Sequence, residues 1–350
     1  MSPILIILII ILLLFLLRKF MRGGQCKIKH SMDGKVIIIT GASAGIGKES
    51  AIDLVKHGAQ VILACRNEKK TKKAMESLNE EEKKLINFIY LDLSDFNSII
   101  KFSEEVRRGY IKIDVLMNNA GLFPQEYEIT KDNMEYYLQT NFVGHVLLTF
   151  LLFDMLDKND ARIINLSSVA YTASDFYNNI NINEMYDLSK TEKKYFSSLR
   201  GKGYLYGNTK LLMIYFSKFL AKLCDEKYNY IKSAAVHPGA VDTEFMRFVT
   251  KKNNIAINLA LQILNPSIKF LFKTPADGAQ TQLNLCYMPF NEFVSGGYYS
   301  DCKIKNIKNY ANDMDKVMES MNLTIKEIKK RFPETKIFDV LGNIFDKKFE

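Results

Sequence analysis

The sequence has few of the residues that build metal centres, disulfides or hydrolytic triads. Its five cysteines (26, 65, 224, 286 and 302) are scattered, and no two form a C-x-x-C pair. An odd, unpatterned set indicates reduced thiols in a reducing compartment. None of the four histidines has a triad partner or a second metal ligand at motif spacing. We therefore expect no metal site and no triad hydrolysis.

Repeats, low-complexity blocks, zinc-type motifs and base-stacking motifs are also missing. The net charge is +9, but the lysines are spread along the whole chain. This favours a solvated lysine-rich surface, with contact to an anionic membrane as the alternative, and we expect no nucleic-acid binding. The length of 350 residues, 47% of them hydrophobic and 25% charged, suits one large α/β domain with additions.

An apolar run without interruption covers residues 4–17, and Arg18, Lys19 and Arg22 follow it. As a helix it is about 21 Å long, against about 30 Å for a bilayer core, so spanning a thin bilayer requires Arg18 and Lys19 to snorkel. No positive charge precedes the run and no A-x-A-like site follows it, which disfavours a secretory signal. We predict an uncleaved membrane anchor over 1–22, with the rest of the chain in the cytosol.

After a polar linker over 23–33, apolar strands alternate with helix-length segments, which is the pattern of a parallel sheet with crossover helices. The predicted domain covers 34–310, and a helical extension without recognisable chemistry covers 311–350. The predicted strands are 36–40, 61–65, 86–91, 113–118, 161–167, 231–236 and 294–299. The predicted helices are 47–57, 68–84, 95–108, 132–156, 205–227 and 275–287.

The segment from Val36 to Lys48 reads V-I-I-I-T-G-A-S-A-G-I-G-K. Its β-branched run predicts a buried strand, and its three glycines predict a tight turn that leads into a helix. Such a helix start offers free N–H groups and a positive dipole end to a phosphate. A turn that serves only the chain reversal is the alternative for this motif taken alone.

The second predicted strand ends at Cys65 and is followed by Arg66 and Asn67. An acidic residue at this place holds the adenine ribose of NAD, whereas arginine suits the 2′-phosphate of NADP. Arg66 therefore predicts NADP(H), with an ordinary surface arginine as the alternative. Asp92 and Leu93, after the third strand, are expected at the adenine edge.

Four more motifs follow in order: N-N-A-G at 118–121, L-Q-T-N at 138–141, I-N-L-S-S at 164–168 and P-G-x-x-x-T at 238–243. Together with T-G-x-x-x-G-x-G at 40–47, they make the sequence strongly resemble the short-chain dehydrogenase/reductase family over residues 34–303. The resemblance implies an oxidoreductase. It also implies a single-domain α/β fold, a Rossmann-type doubly wound parallel sheet flanked by helices, here with an N-terminal membrane anchor.

The family's Y-x-x-x-K motif occurs five times in this sequence. Both side chains must lie on one face of a helix packed beside the serine strand. Only Tyr206 begins a long segment with an apolar face, so Tyr206 and Lys210 are the predicted pair. A nearby ammonium favours the phenolate, so Lys210 is expected to lower the pKa of Tyr206 towards the working range.

The resemblance implies that Tyr206 is the general acid or base, that Lys210 also holds the nicotinamide ribose, and that Ser168 donates to the substrate oxygen. Asn141 would order a water that links Lys210 to solvent, and Thr243 would bind the carboxamide. The predicted cofactor-binding residues are Thr40, Gly41, Ser43, Ala44, Gly45, Ile46, Gly47, Arg66, Asn67, Asp92, Leu93, Asn119, Ala120, Gly121, Tyr206, Lys210, Pro238, Gly239, Val241 and Thr243.

Finer features resemble the retinol dehydrogenase branch: the N-terminal run, G-I-G-K-E at 45–49, A-C-R at 64–66 and S-G-G-Y-Y-S-D-C-K at 295–303. This implies an endoplasmic reticulum enzyme that faces the cytosol and interconverts retinol and retinal, with a homo-oligomer as a family possibility. A hydroxysteroid dehydrogenase, a lipid-aldehyde reductase or a non-catalytic nucleotide-binding scaffold are the alternatives. Residues 245–272 are apolar and predict a substrate lid or ordinary helix burial.

Overall fold

The computed structural model describes residues 3–175, 182–242, 270 and 272–333. Within these ranges one eight-stranded sheet has the order β3-β2-β1-β4-β5-β6-β7-β8, parallel throughout except for the last pair. The strands are β1 (Val36–Thr40), β2 (Gln60–Cys65), β3 (Ile86–Tyr90), β4 (Val115–Asn118), β5 (Ala161–Leu166), β6 (Ile231–His237), β7 (Tyr298–Ser300) and β8 (Lys303–Ile304).

Helices connect the strands and cover both faces of the sheet. They are α1 (Pro3–Arg22), α2 (Gly45–Lys56), α3 (Glu68–Ala74), α4 (Glu80–Lys84), α5 (Phe96–Gly109), α6 (Tyr136–Leu138), α7 (Gly144–Leu151), α8 (Asn183–Tyr186), α9 (Leu188–Thr191), α10 (Leu199–Lys227), α11 (Pro275–Tyr287) and α12 (Met314–Arg331). A π-helical turn, Gln139–Val143, joins α6 to α7.

The core has two apolar layers because neighbouring side chains of a strand point to opposite faces of the sheet. In β1, Ile38 packs into the layer beneath α5, α7 and α10, whereas Ile37 and Ile39 pack into the layer beneath α2 and α11. All three are fully buried, and each such side chain contributes about 1.5–3 kcal/mol through the hydrophobic effect. The predicted doubly wound parallel sheet is confirmed.

Two predicted helices are interrupted. The segment 68–84 forms α3 and α4 because Met75 and Leu78 turn into the core between them, and Asn79 starts α4 with a capping box to Glu82. The segment 132–156 is interrupted by the π-helical turn. Sequence periodicity could not show either break, since both segments keep a helical apolar spacing.

The N-terminal run forms helix α1, and its apolar side chains are exposed, including Phe15 at 63% and Phe20 at 80%. Among the helices of the described ranges, none combines the length and the apolar character needed to cross a membrane. The predicted transmembrane anchor over 1–22 is therefore not supported. Arg18, which that prediction required to snorkel, instead donates hydrogen bonds to the backbone of the folded domain.

The last helix of the described ranges, α12, packs on the outer face of α10. Val317, Met321 and Ile328 are buried there, and Thr324 Oγ1 lies 2.8 Å from the hydroxyl of Tyr186. Arg331 also donates to the carbonyl of Asn133. The described part of the predicted extension therefore supports the helix on which Tyr206 and Lys210 lie, and residues 334–350 lie outside the described residues.

Candidate active site

A cavity of about 800 Å³ lies at the carboxyl ends of the central strands. β1 and β4 are neighbours there while their connections leave in opposite directions, which is where ligands bind in such sheets. The predicted residues that line it are Gly41, Ser43, Ala44, Gly45, Ile46, Gly47, Arg66, Asn67, Asp92, Leu93, Asn119, Ala120, Gly121, Ser168, Tyr206, Lys210, Pro238, Gly239 and Val241. Thr40 and Asn141 lie behind the wall, and Thr243 lies outside the described residues.

The turn between β1 and α2 allows a ligand to approach its backbone closely. Gly41 and Gly45 have positive φ angles of 71° and 58°, a conformation that favours glycine. A Cβ at Gly47 would lie 2.5 Å from Nδ2 of Asn119 and 2.7 Å from the carbonyl of Gly41. No side chain caps the start of α2 at Ala44, so its first N–H groups remain available to a phosphate.

Thr40 holds the loop that follows β4. Its buried hydroxyl oxygen accepts hydrogen bonds from the backbone N–H groups of Asn119 and Ala120, both at 2.9 Å. Asn119 Nδ2 donates to the Thr40 carbonyl at 2.8 Å. Thr40 therefore places this loop against the cavity from behind the wall.

Arg66 lies at the opposite end of the cavity from Tyr206. Its guanidinium donates to the hydroxyl of Tyr136 at 2.8 Å, and Lys70 lines the cavity one helical turn further along the chain. Sequence analysis missed Lys70 and Tyr136. The i, i+4 spacing of Arg66 and Lys70 was the available signal for the lysine.

Three of the four residues predicted to be catalytic, Ser168, Tyr206 and Lys210, meet where β5 ends. Ser168 starts a short turn by accepting from the Ala170 N–H, and its hydroxyl forms a hydrogen bond with Tyr206. Nζ of Lys210 lies 5.6 Å from the centre of the Tyr206 ring and donates to the Leu166 carbonyl at 2.8 Å. These groups face one point at the wall of the cavity.

Gly207 allows α10 to pack closely on the turn that follows Ser168. A Cβ at this position would lie 2.7 Å from the carbonyl oxygen of Ala170 and 2.9 Å from the N–H of Ser174. A larger side chain would push α10 away from the turn. The glycine next to Tyr206 thus sets the distance between the tyrosine and the serine.

Burial dominates the electrostatics of the tyrosine–lysine pair. It lowers the pKa of Lys210 to about 8, and among the described residues no carboxylate compensates the ammonium. It raises the pKa of Tyr206 above its ordinary value near 10, and the hydrogen bond with Ser168 opposes this increase. The expectation that the pKa of Tyr206 moves towards the working range is therefore wrong, because desolvation of the phenolate dominates.

Asn141 lies in the π-helical turn and is fully buried. Its Nδ2 donates to the carbonyl of Leu122 and its Oδ1 accepts from the Leu122 N–H, both at 2.8 Å. The amide therefore fastens the turn to the loop after β4. Its predicted role in ordering a water stays a prediction.

His145 was missed by sequence analysis. Its Nδ1 lies 3.3 Å from the carbonyl of Asn141 and its Nε2 lies 3.0 Å from Thr40 Oγ1. A carbonyl only accepts, so Nδ1 carries the proton and the Thr40 hydroxyl donates to Nε2. Burial and the charge of Lys210 lower the pKa of His145 to about 3, which keeps it neutral.

The residues present fit a dinucleotide. Asn119 Oδ1 and Thr140 Oγ1 are buried in the cavity wall without a hydrogen-bond partner among the described residues, so each can serve a ligand. The uncapped start of α2 and the space that a Cβ at Gly47 would fill suit a diphosphate. Arg66 supplies a cation at the far end.

Comparisons with known proteins agree with this architecture. A sequence profile described as short chain dehydrogenase matches residues 35–180. Mouse and human retinol dehydrogenase 12 are each 36% identical over 289 residues, which cover 82% of this chain and 84% of the relative. An uncharacterised oxidoreductase of Schizosaccharomyces pombe is 33% identical over 84% of this chain and 85% of its own.

Among solved structures, an L-sorbose reductase from Gluconobacter frateurii, complexed with NADPH and L-sorbose, superposes with a TM-score of 0.57 at 23% identity. The alignment covers 77% of this chain and 95% of that one, and it shows the fold. The curated relatives show more, because their identity extends over most of both chains. The chain belongs to the short-chain dehydrogenase/reductase family of oxidoreductases, in its retinol dehydrogenase branch.

Proposed function

We propose that this chain is an NADP(H)-dependent oxidoreductase that interconverts a lipophilic alcohol and its aldehyde or ketone, with retinol and retinal as the leading pair. One observation carries the proposal: Ser168, Tyr206 and Lys210 face the same cavity as the glycine turn and Arg66. A cofactor that extends from Arg66 to Tyr206 would place its reactive end beside the three polar side chains.

The bound nicotinamide supplies the hydride, and the protein supplies position and a proton. Tyr206 donates its proton to the carbonyl oxygen of the substrate during reduction, and its raised pKa keeps it protonated at neutral pH. Ser168 donates a hydrogen bond to the same oxygen and stabilises the charge that develops there. The Lys210 ammonium then stabilises the phenolate left on Tyr206.

Arg66 supports NADP(H) over NAD(H). The guanidinium offers several donors to a 2′-phosphate, and Lys70 adds a second cation to the same end of the cavity. Solved relatives from Gluconobacter frateurii and Shigella flexneri are described as complexes with NADPH and NADP. Because the cellular NADPH pool is mostly reduced, this preference favours carbonyl reduction.

The substrate class is supported by the relatives and by the cavity wall. Relatives that are 32–36% identical are named retinol dehydrogenases, and Leu122, Phe123 and Val169 bring apolar surface to the cavity near Tyr206. The Phe123 ring lies 5.6 Å from the Tyr206 ring. The predicted lid over 245–272 falls almost entirely outside the described residues.

We further propose that α1 attaches the chain to the endoplasmic reticulum membrane with the domain on the cytosolic side. The support is its exposed apolar surface, which includes Leu13 at 58% and Phe15 at 63%. Liposome flotation tests this: the full chain should float, and a chain without residues 1–17 should not. Equal flotation of both chains would refute attachment through α1.

A homo-oligomer stays a prediction that gel filtration in detergent can test.

The decisive experiment is NADPH oxidation by the detergent-solubilised protein with all-trans-retinal, beside NADH and a Tyr206→Phe variant. Turnover with NADPH that collapses in the variant supports the cofactor, the substrate and the acid together. If the protein turns over only steroid ketones or medium-chain aldehydes, that class is the substrate in place of retinal. NADPH binding without turnover of any of them would favour a nucleotide-binding scaffold.

A further inference from the structure

The end of α1 is fastened to the folded domain through Arg18. Its Nη1 donates to the carbonyl oxygens of Phe270 at 2.9 Å and Phe272 at 2.7 Å. The guanidinium also lies 6.0 Å from the centre of the Phe270 ring. A charged donor that bridges two backbone acceptors restrains the two residues that carry them.

Arg22 makes a second attachment one turn later. Its Nε lies 3.0 Å from Oδ1 of Asp277, whose side chain is 5% exposed. Asp277 lies in the first turn of α11, and its Oδ2 accepts from the hydroxyl of Thr274. Arg22 therefore holds the segment that leads from Phe272 into α11.

The linker after α1 makes a third attachment. The N–H of Gly24 donates to Oδ1 of Asp301 at 3.2 Å, and a Cβ at Gly24 would lie 2.0 Å from the Asp301 carbonyl oxygen. Only glycine permits this approach. The same carboxylate binds Nζ of the buried Lys273 at 2.6 Å.

Lys273 joins these attachments to the cavity wall. Its N–H donates to the carbonyl of Ala240 at 2.8 Å, and its carbonyl accepts from the N–H of Asp242 at 2.9 Å. Its side chain packs over Gly239, where an added Cβ would lie 2.7 Å from Cε. Gly239, Ala240 and Val241 all line the cavity.

We propose that α1 and its linker are a positioning element of the active site. The N-terminal clamp, formed by Arg18, Arg22 and Gly24 with their partners Phe270, Phe272, Asp277 and Asp301, holds Lys273 against the wall at 239–241. This wall follows β6 on the side of the cavity away from Arg66 and contains Gly239 and Val241, two of the predicted cofactor-binding residues, so the clamp controls affinity for the nicotinamide end of the cofactor. The proposal rests on the proposed function for its effect on cofactor affinity only.

The test compares Arg18→Gln with Lys19→Gln in the full-length, detergent-solubilised protein. Both variants remove one positive charge from the same end of α1, but Lys19 is exposed and only Arg18 contacts the two carbonyls. Arg18→Gln should raise the Kd for NADPH by about 10-fold, the size of one charge-assisted hydrogen bond. Lys19→Gln should bind NADPH as the wild type does.

Hydrogen exchange gives a measurement that does not depend on turnover. In Arg18→Gln, the amides of Asp242 and Lys273 should exchange faster than in Lys19→Gln, since these two amides join Lys273 to the wall. If the protein reduces no carbonyl substrate but these two amides still exchange faster in Arg18→Gln, the clamp is supported and the proposed function fails. Unchanged exchange, or an NADPH Kd that Arg18→Gln does not weaken, would overturn the proposal.

Discussion

The two ends of the cavity are built differently. At the glycine turn, the chain presents backbone N–H groups and small residues, positioned by glycine conformations at Gly41, Gly45 and Gly47. At the Tyr206 end, it presents the side chains of a tyrosine, a serine and a lysine, and the buried Asn141 and His145 lie behind the wall. Backbone groups do not titrate, whereas burial shifts the pKa values of ionisable side chains.

This difference predicts two kinds of sensitivity. The cofactor end should respond to added volume and tolerate changes of pH. The Tyr206 end should respond to the loss of a single functional atom and to protonation. Three predictions test this division, from the largest expected effect to the smallest, and a fourth concerns stability rather than activity.

Removing the hydroxyl of Tyr206 should have the largest effect. Tyr206→Phe keeps the ring but loses the proton donor, so kcat should fall about 1,000-fold, within the range of general acid catalysis. The NADPH Kd, measured by fluorescence titration, should change less than about twofold. Tyr204→Phe on the same helix is the matched control and should retain activity. Near-normal kcat in Tyr206→Phe would remove the tyrosine from the mechanism.

Adding one methyl group at the glycine turn should weaken cofactor binding. In Gly47→Ala the new Cβ meets Asn119 and the Gly41 carbonyl, at a cost of about 1–3 kcal/mol. The NADPH Kd should therefore rise roughly 5- to 150-fold, as measured by titration calorimetry. Gly203→Ala, where a Cβ meets nothing within 4 Å, is the control and should bind normally. Equal NADPH binding by Gly47→Ala and Gly203→Ala would show that the cofactor does not approach Gly47 closely.

Neutralising Arg66 should change cofactor preference. Arg66→Gln keeps a donor but loses the charge that faces a 2′-phosphate, so the ratio of kcat/KM for NADPH over NADH should fall about 10- to 100-fold. Lys69→Gln removes a neighbouring charge that does not line the cavity, and should leave the ratio unchanged. An unaltered ratio in Arg66→Gln would mean that Arg66 is an ordinary surface arginine.

The prediction on stability concerns Glu135, which precedes the π-helical turn and accepts from the N–H groups of Tyr137 and Leu138. Burial raises its pKa to about 7 from 4.5. The protonated form is favoured in the fold, so this group stabilises the protein below pH 4.5, and that stability is lost as pH rises through 7. The full change is on the order of 3 kcal/mol.

Glu135→Gln should therefore reduce the loss of unfolding free energy between pH 5 and pH 8, as measured by urea denaturation at both values. Glu104→Gln, on the exposed face of α5, is the control and should retain the wild-type dependence. If the wild type and Glu135→Gln lose stability in parallel, another group sets the pH dependence.

Sequence reasoning predicted the parts of the molecule that depend on local pattern. β1 has the predicted bounds, and α11 has its predicted bounds as well, since apolar runs and end residues specify both. Nearly all predicted cofactor residues in the described ranges line one cavity, because each motif follows a parallel strand and these strands end at one edge. Tyr206 could be chosen among five tyrosines because it begins a long apolar-faced segment, which lies within α10.

What the sequence could not predict depends on contacts between distant residues. A lone histidine in an apolar helix carries no spacing signal, so the role of His145 between Thr40 and Asn141 was missed. The pKa of Tyr206 depends on burial, which its motif does not encode. Arg18 was expected to extend a membrane span, and its contact with Phe270 joins residues 252 positions apart.

The packing of α12 on α10 has a consequence for biosynthesis. Tyr215 on α10 donates to the carbonyl of Tyr310, and the apolar residues that cover this helix begin about 100 residues after Tyr215. At about 5–20 residues per second, the ribosome needs about 5–20 s to add them. During that interval the outer face of α10 has no cover, so a nascent chain that has already emerged through α10 exposes a chaperone-binding surface.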